Sequence, residues 1–398
     1  VALAETPSET PTASPESVDW LQRLIAFPTV SRDSNIALIE AVRDYLSDRG
    51  VETRLTFDDD RRKANLWATL GPEADGGIVL SGHTDVVPVE DQDWSHDPFD
   101  MVTRDGKAFG RGTADMKGFI AAVLAAVPRL QERGLEKPVH LAFSYDEEVG
   151  CLGVRRLIDD VRRNLSVRPA ACIVGEPTLM VPVIGHKAKL SVRCHVHGLE
   201  CHSALAPQGV NAVEYAAELI VRLRRMAEDK RLNGPFDDGF DPPHTTVHTG
   251  VMHGGSALNI VPNHARFEFE FRSLPQENPR ALYAEIVRFA EQELVPKMKA
   301  VSAAAGIEFE EMAGFPGLDT PEDHDVTTLV KALSGANATG KVAFGTEAGL
   351  FQEAGIPTIV CGPGSITQAH KPDEWLSLEE LGRCERLLDR LGDRVCAA

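Results

Sequence analysis

Three consecutive acids, Asp146, Glu147 and Glu148, follow a short apolar run in FSYDEEVG, residues 143–150. Carboxylates set this close repel unless water or a cation screens them, and such clusters just past a strand are where functional acids collect. A solvated loop opening a helix, whose first turn favours acids, accounts for the same residues. The cluster gains weight from four further ligand-type side chains expected in the same setting, His83, Asp115, Glu176 and His370.

His83 and Asp85 end the β-branched run GIVLSGHTDVVPV, 77–89, which reads as a buried strand. Residues two apart in an extended segment face one side. Asp85 can therefore take the second N–H of a ligating His83, fixing its tautomer and raising its basicity; a hydrogen-bonded pair at a strand-end turn is the alternative. Asp115, in RGTADMKG, stands where a nearly all-apolar helix starts. There it could cap the helix or offer both oxygens to metal. Glu176 falls at the strand-to-loop break GEPT, where Pro177 stops a central strand.

Two imidazoles (His83, His370) and three carboxylates (Asp115, Glu148, Glu176) suit a pair of borderline divalent ions, zinc foremost with cobalt also fitting, since no thiolate set or all-oxygen cage is offered. Five ligands serve two ions only if one carboxylate is shared. Ions about 3.5–4 Å apart would hold a water or hydroxide for attack on a carbonyl. Glu147 is then left unligated, in the place of a general base.

For these residues to converge, strand ends must be brought together. Helical spacing over 19–26 and 36–49, with Gly50 as a stop, is followed by extended segments near 51–57 and 65–70. Strands 77–89, 139–144 and 170–174 alternate with helices from 118 and over 150–158, the pattern of a mostly parallel sheet with helices on both faces. Ligands of such sheets bind in the crevice outside the C-terminal strand ends. From about residue 185 the order changes to βαββαβ, a split ferredoxin-like unit; strand–helix alternation then resumes with a helix near 325–333, a strand at 358–361 and a closing helix over 378–391. The expectation is an α/β protein: a three-layer catalytic domain in two parts, 1–183 and 315–398, with an inserted lid at 184–314.

A chain of 398 residues exceeds one ordinary core. Its 60 acidic against 41 basic residues, a net charge of -19, argue against nucleic acid or anionic membranes as partners and are mildly hospitable to cationic substrates. Seven cysteines without a CxxC pair favour reduced thiols and a cytoplasmic location. The longest apolar run, 118–127, is too short to span a bilayer. The Pro/Ser/Thr-rich opening, 1–17, does not read as a signal peptide and is expected frayed or extended.

SGHTDVVP, GRGTADMKG, DEEVG, GEPT and the late AH of QAHKPDE, in that order and with the inserted lid, resemble the M20 di-zinc aminoacylase and peptidase family over nearly the whole chain. Within it, HSALAPQGVNAVEYA, FGTEAGLF and GPGSITQAHKPDEW are similar to the acetylornithine deacetylase branch; desuccinylases of succinyl-diaminopimelate, broader N-acyl-amino-acid deacylases and dipeptidases are the neighbouring alternatives. The resemblance implies that Asp115 bridges two metals, that His83 and Glu176 complete one site and Glu148 and His370 the other, and that a cis peptide follows Asp115. It implies Glu147 as general base, Asp85 as the partner of His83, and His202, in GLECHS, as an oxyanion donor from the other subunit of a homodimer formed through the lid. Asn259 and Arg272 match substrate-binding positions, Arg272 as a fork for an α-carboxylate or otherwise a sheet-surface ion pair. Glu347 is a candidate partner for a substrate ammonium, or a helix cap. The substrate class implied is a small N-acyl amino acid. A catalytically silent, metal-stabilised binding protein would be marked by loss of Glu147 or a ligand, and none is missing.

Overall fold

The strand Ile78–His83 is buried at every position, and parallel neighbours, Val139–Ser144 and Ala171–Pro177, flank it on both sides. In a computed structural model that describes residues 12–164 and 168–396, these three form the middle of a nine-stranded sheet. Thr358–Gly362 extends it in parallel beside Ala171–Pro177, while Ala64–Leu70 and Thr53–Phe57 close one side antiparallel. The register sets His83 opposite Ser144, so the chain leaves both strands at one level.

Strand alternation sends Leu66, Leu80, Leu141, Ile173 and Ile359 into one core with the helices Pro15–Ile25, Ile36–Ser47, Gly118–Glu132 and Leu378–Val395. On the other face Asn65 donates to the Gly153 carbonyl (2.9 Å) at the start of Leu152–Asn164. Each fully buried Leu, Ile or Phe contributes about 1.5–3 kcal/mol, and Gly118–Glu132 buries Phe119, Ile120, Val123, Leu124 and Val127. Its approach to the sheet is close. A Cβ on Gly175 would lie 1.9 Å from the Phe119 ring, so only glycine lets that strand bring Glu176 forward.

The chain divides into two units, one comprising residues up to 184, 320–340 and from 346 onward, the other 185–319 with 341–345. The second carries an antiparallel sheet in the order Thr246–Gly254, His264–Ser273, Ala188–His197, Gly306–Phe315, with the helices Ala212–Asn233 and Pro279–Phe289, which is the ferredoxin-like βαββαβ arrangement. Ala188–His197 buries every second residue, and Val192, Cys194 and Val196 pack with Phe267, Phe269, Leu219 and Ile286. No helix among the described residues is long and apolar enough to cross a membrane. Of the opening stretch, residues 1–11 lie outside the described ones, and Pro15 already begins a helix capped by Ser14.

Candidate metal centre and active site

His83 closes its strand with Nδ1 2.9 Å from the Asp85 backbone carbonyl. A carbonyl only accepts, so Nδ1 carries the proton and Nε2 presents its lone pair. That nitrogen lies 3.0 Å from Asp115 Oδ1 and 3.7 Å from Glu176 Oε1. The Asp85 carboxylate is farther from the ring, at 3.5 Å, and has other work. It accepts from Ser31 Oγ (2.7 Å) and from the backbone N–H groups of Glu147 (3.1 Å) and Glu148 (3.3 Å).

Asp115 does not cap the following helix. Gly118–Glu132 starts three residues later with Lys117 at its N-cap, and Asp115 is extended (φ -125°, ψ 94°) within the turn Thr113–Lys117; the Asp115–Met116 peptide bond is cis. The turn is held from below by Glu374, whose carboxylate accepts the N–H groups of Gly112 (3.1 Å), Ala114 (2.9 Å) and Asp115 (3.1 Å) and pairs with Arg111 at 2.7 Å. The Asp115 side chain is thereby left to face the imidazoles. Its Oδ2 is 3.2 Å from His370 Nε2 while Oδ1 meets His83, one oxygen to each ring.

The acid turn is built on a positive φ at Asp146 (56°), whose side chain pairs with Lys63 at 2.6 Å and so leaves the cluster. Glu148 Oε2 reaches His370 Nε2 at 3.1 Å, and its Oε1 is buried with no partner. Glu147 accepts a long contact from Cys151 Sγ at 3.4 Å. His83, Glu147 and Glu176 each offer an atom within 4.8 Å of the others, as do His83, Asp115 and Glu148.

Burial governs the protonation of these acids. It pushes Glu147 up to about 8, with His83 opposing and Glu148 adding. Burial together with the Asp115 charge lifts Glu148 to about 7. Burial raises Glu176 well above the usual carboxylate range. It would raise Asp115 too, but the hydrogen bonds of His370 and His83 hold that group low. Hydrogen bonds to Asp115 and Glu148 lift His370 to about 10.

Asp85, Asp115, Glu147, Glu148 and Glu176 thus crowd five carboxyl groups around two imidazoles, and their joint ionisation there requires cations. The donor set of N and O atoms, the oxygen of Asp115 toward each ring and the unpartnered Glu148 oxygen fit two divalent ions. His83 and Glu176 would hold one, His370 and Glu148 the other, and Asp115 both.

Glu347 sits one step back along the same strands. It is fully buried, accepting from Ser81 Oγ (2.5 Å) and Ser144 Oγ (2.7 Å), and it makes no capping bond to the helix Ala348–Glu353 that it precedes. His202, Asn259 and Arg272 belong to the second unit. His202 caps the turn Ser203–Gln208, its Nδ1 accepting from Ala204 N at 3.1 Å, and Ser203 N donates to the Asn259 carbonyl at 3.0 Å. Arg272 Nε pairs with Glu270 at 3.1 Å on the sheet surface. Glu374, Ser31 and Lys63 were not among the sequence candidates; the only local signal was the acid of PDEW, four residues past His370.

The profile of peptidase family M20/M25/M40 matches residues 79–394. The chain is 34% identical over 389 residues to an acetylornithine deacetylase of Pasteurella multocida (strain Pm70), covering 96% of this chain and 98% of that protein, and 35% identical over 381 residues to one of Myxococcus xanthus, covering 94% and 96%. Among solved structures it is similar to the aminopeptidase PepT of Bacillus cereus (TM-score 0.73, 22% identity, 96% of this chain and 98% of that one) and to an M20 family metallo-carboxypeptidase of Sulfolobus solfataricus (TM-score 0.72, 18% identity, 95% and 99%).

Proposed function

Because the chain belongs to peptidase family M20/M25/M40 and is a metallohydrolase of that family, we propose that it hydrolyses the amide of N2-acetyl-L-ornithine to L-ornithine and acetate, a step of arginine biosynthesis. The observation that carries the hydrolytic part is Asp115, with one oxygen toward each of two imidazoles and Glu147 beside them. The substrate rests on the full-length similarity to proteins named acetylornithine deacetylase.

Two divalent ions, zinc or cobalt, held by His83, Glu176, Glu148, His370 and the shared Asp115 would supply Lewis-acid polarisation of the acetyl carbonyl and acidify a water. Glu147 is the proton carrier of the reaction. It takes the proton of the attacking water as oxygen adds to the acetyl carbon, and passes it to the amine nitrogen as the C–N bond breaks. Asp85 keeps Glu147 and Glu148 in place through their backbone N–H groups. His202 of a second copy of the chain, in a homodimer formed through the lid, would donate to the developing oxyanion. Asn259 and Arg272 would bind the substrate, Arg272 at the α-carboxylate in exchange for Glu270.

Glu347 accepts one serine hydroxyl on each oxygen and is fully buried, so a substrate ammonium would have to reach the remaining lone pairs of a carboxylate that lies behind the strand ends. Hydrolysis rates of N-acetylornithine, N-acetylmethionine and N-succinyl-diaminopimelate on the pure metal-loaded protein test the assignment. A kcat/KM for N-acetylornithine at least tenfold above the others is expected; preference for either competitor overturns it.

A further inference from the structure

Three of the chain's 13 histidines meet on the polar face of the second unit's sheet. His195 and His197 are two apart in the strand Ala188–His197, on the face opposite buried Val196, and His197 lies directly across from His264. Ring centres are 5.6 Å apart for His197 and His264, 5.8 Å for His195 and His264, and 6.4 Å for His195 and His197.

The rings have poor partners among protein groups. His197 Nε2 is buried without a hydrogen bond, and the nearest carboxylate oxygens, Glu308 Oε2 at 3.6 Å from His197 and Glu310 Oε2 at 3.8 Å from His195, are beyond hydrogen-bond reach. Gly306 pairs with His197 on its other side, and a side chain there would meet nothing within 4 Å, so the space beside the ring is open.

We propose that His195, His197 and His264, with Glu308 as a fourth ligand, bind an additional divalent transition ion of the zinc, nickel or copper class, using none of the residues of the first unit's cluster. Metal–nitrogen bonds of about 2.0–2.1 Å put the centres of imidazoles around one tetrahedral ion roughly 5 Å apart, and the present triangle closes to that size by turning partly exposed rings about their side-chain torsions. Imidazole with one carboxylate is a donor set for this class of ion. The ion would clip three strands together at one end, Ala188–His197, His264–Ser273 and Gly306–Phe315.

The test uses full-length, zinc-loaded protein dialysed against micromolar Cu2+ or Zn2+, with bound metal counted by elemental analysis. Wild type is compared with H197Q/H264Q and with H264Q alone, the latter at an exposed position where folding is not at stake. Wild type is expected to hold one equivalent more than the double variant and to show a Cu2+ electron paramagnetic resonance signal with several coupled nitrogens that the double variant lacks. H264Q should weaken this equivalent at least tenfold, and amide hydrolysis should be unchanged in both variants. Equal metal counts in wild type and H264Q across the titration, or the same nitrogen signal in the double variant, overturn the proposal.

Discussion

Asp85 accepts the backbone N–H of Glu147 at 3.1 Å, so the residue two past His83, a proposed metal ligand, also fixes the backbone of the proposed base. The same carboxylate takes the Glu148 N–H and the Ser31 hydroxyl. Asn at this position keeps one oxygen and turns an N–H2 toward a donor. D85N should lower kcat about 10- to 100-fold, the usual cost of disturbing a partner behind a metal site, with a smaller change in KM. Steady-state kinetics with metal analysis checks it, and wild-type kcat in a fully loaded D85N protein would remove Asp85 from this role.

Glu147 makes one weak side-chain contact within its surroundings, from Cys151, and burial favours its protonated form. E147Q preserves shape and removes proton transfer. Turnover should fall by at least ~100-fold while two equivalents of metal remain bound. Retention of near-full rate excludes Glu147 as the base, and loss of metal alongside rate reassigns it as a ligand.

Glu347 ties Ser81 and Ser144, residues of adjacent parallel strands that end in His83 and the acid turn. E347A leaves the Ser144 hydroxyl without its acceptor and Ser81 with only the Ala142 carbonyl at 3.4 Å, at a cost of about 1–3 kcal/mol for each hydroxyl left unsatisfied. E347Q, which keeps an acceptor, should lose less. Urea midpoints measured on metal-free protein separate the two, and an E347A midpoint equal to wild type would show that the serines do not depend on the clamp.

His140 is buried on Val139–Ser144, its Nδ1 3.0 Å from Thr69 Oγ1 and its Nε2 unpartnered, and burial pulls it down to about 4. His186 is displaced in the same direction to about 4, again by burial. Histidine in the unfolded chain titrates near ~6.5. Between those values the unfolded chain binds more protons, so stability rises with pH there and is lost as pH falls from about 6.5 toward 4, on the order of 3 kcal/mol per group. Urea midpoints at pH 7 and pH 5 should differ less for H140Q than for wild type. An unchanged difference would assign the acid sensitivity elsewhere.

The strand-end residues were legible because each rests on a local rule. The β-branched run into His83 and Asp85 needs no knowledge of the rest of the chain, whereas the break expected at Glu176 does not occur there: the strand Ala171–Pro177 runs through both Glu176 and Pro177, which sits opposite Gly362. The sheet of the second unit was legible because alternation over Ala188–His197 differs so plainly from the uniformly buried strands before it. Asp115 was ambiguous between cap and ligand, since an acid before an apolar helix satisfies both rules; only the three-residue delay in the helix start separates them. Glu374 was out of reach, because its bond to the Asp115 N–H joins residues 259 apart and leaves no pattern in either neighbourhood. The grouping of residues 341–345 with the second unit was equally hidden, a matter of where the returning chain passes rather than of composition.

Glu374, which grips the Gly112–Asp115 turn through three backbone N–H groups, follows Asp115 by 259 residues, as part of the same late stretch as His370. On a ribosome the central strands emerge long before either residue has been synthesised. A nascent chain can therefore pair its three middle strands while the loop bearing Asp115 still lacks its anchor, and that loop can be fixed only once residue 374 has emerged.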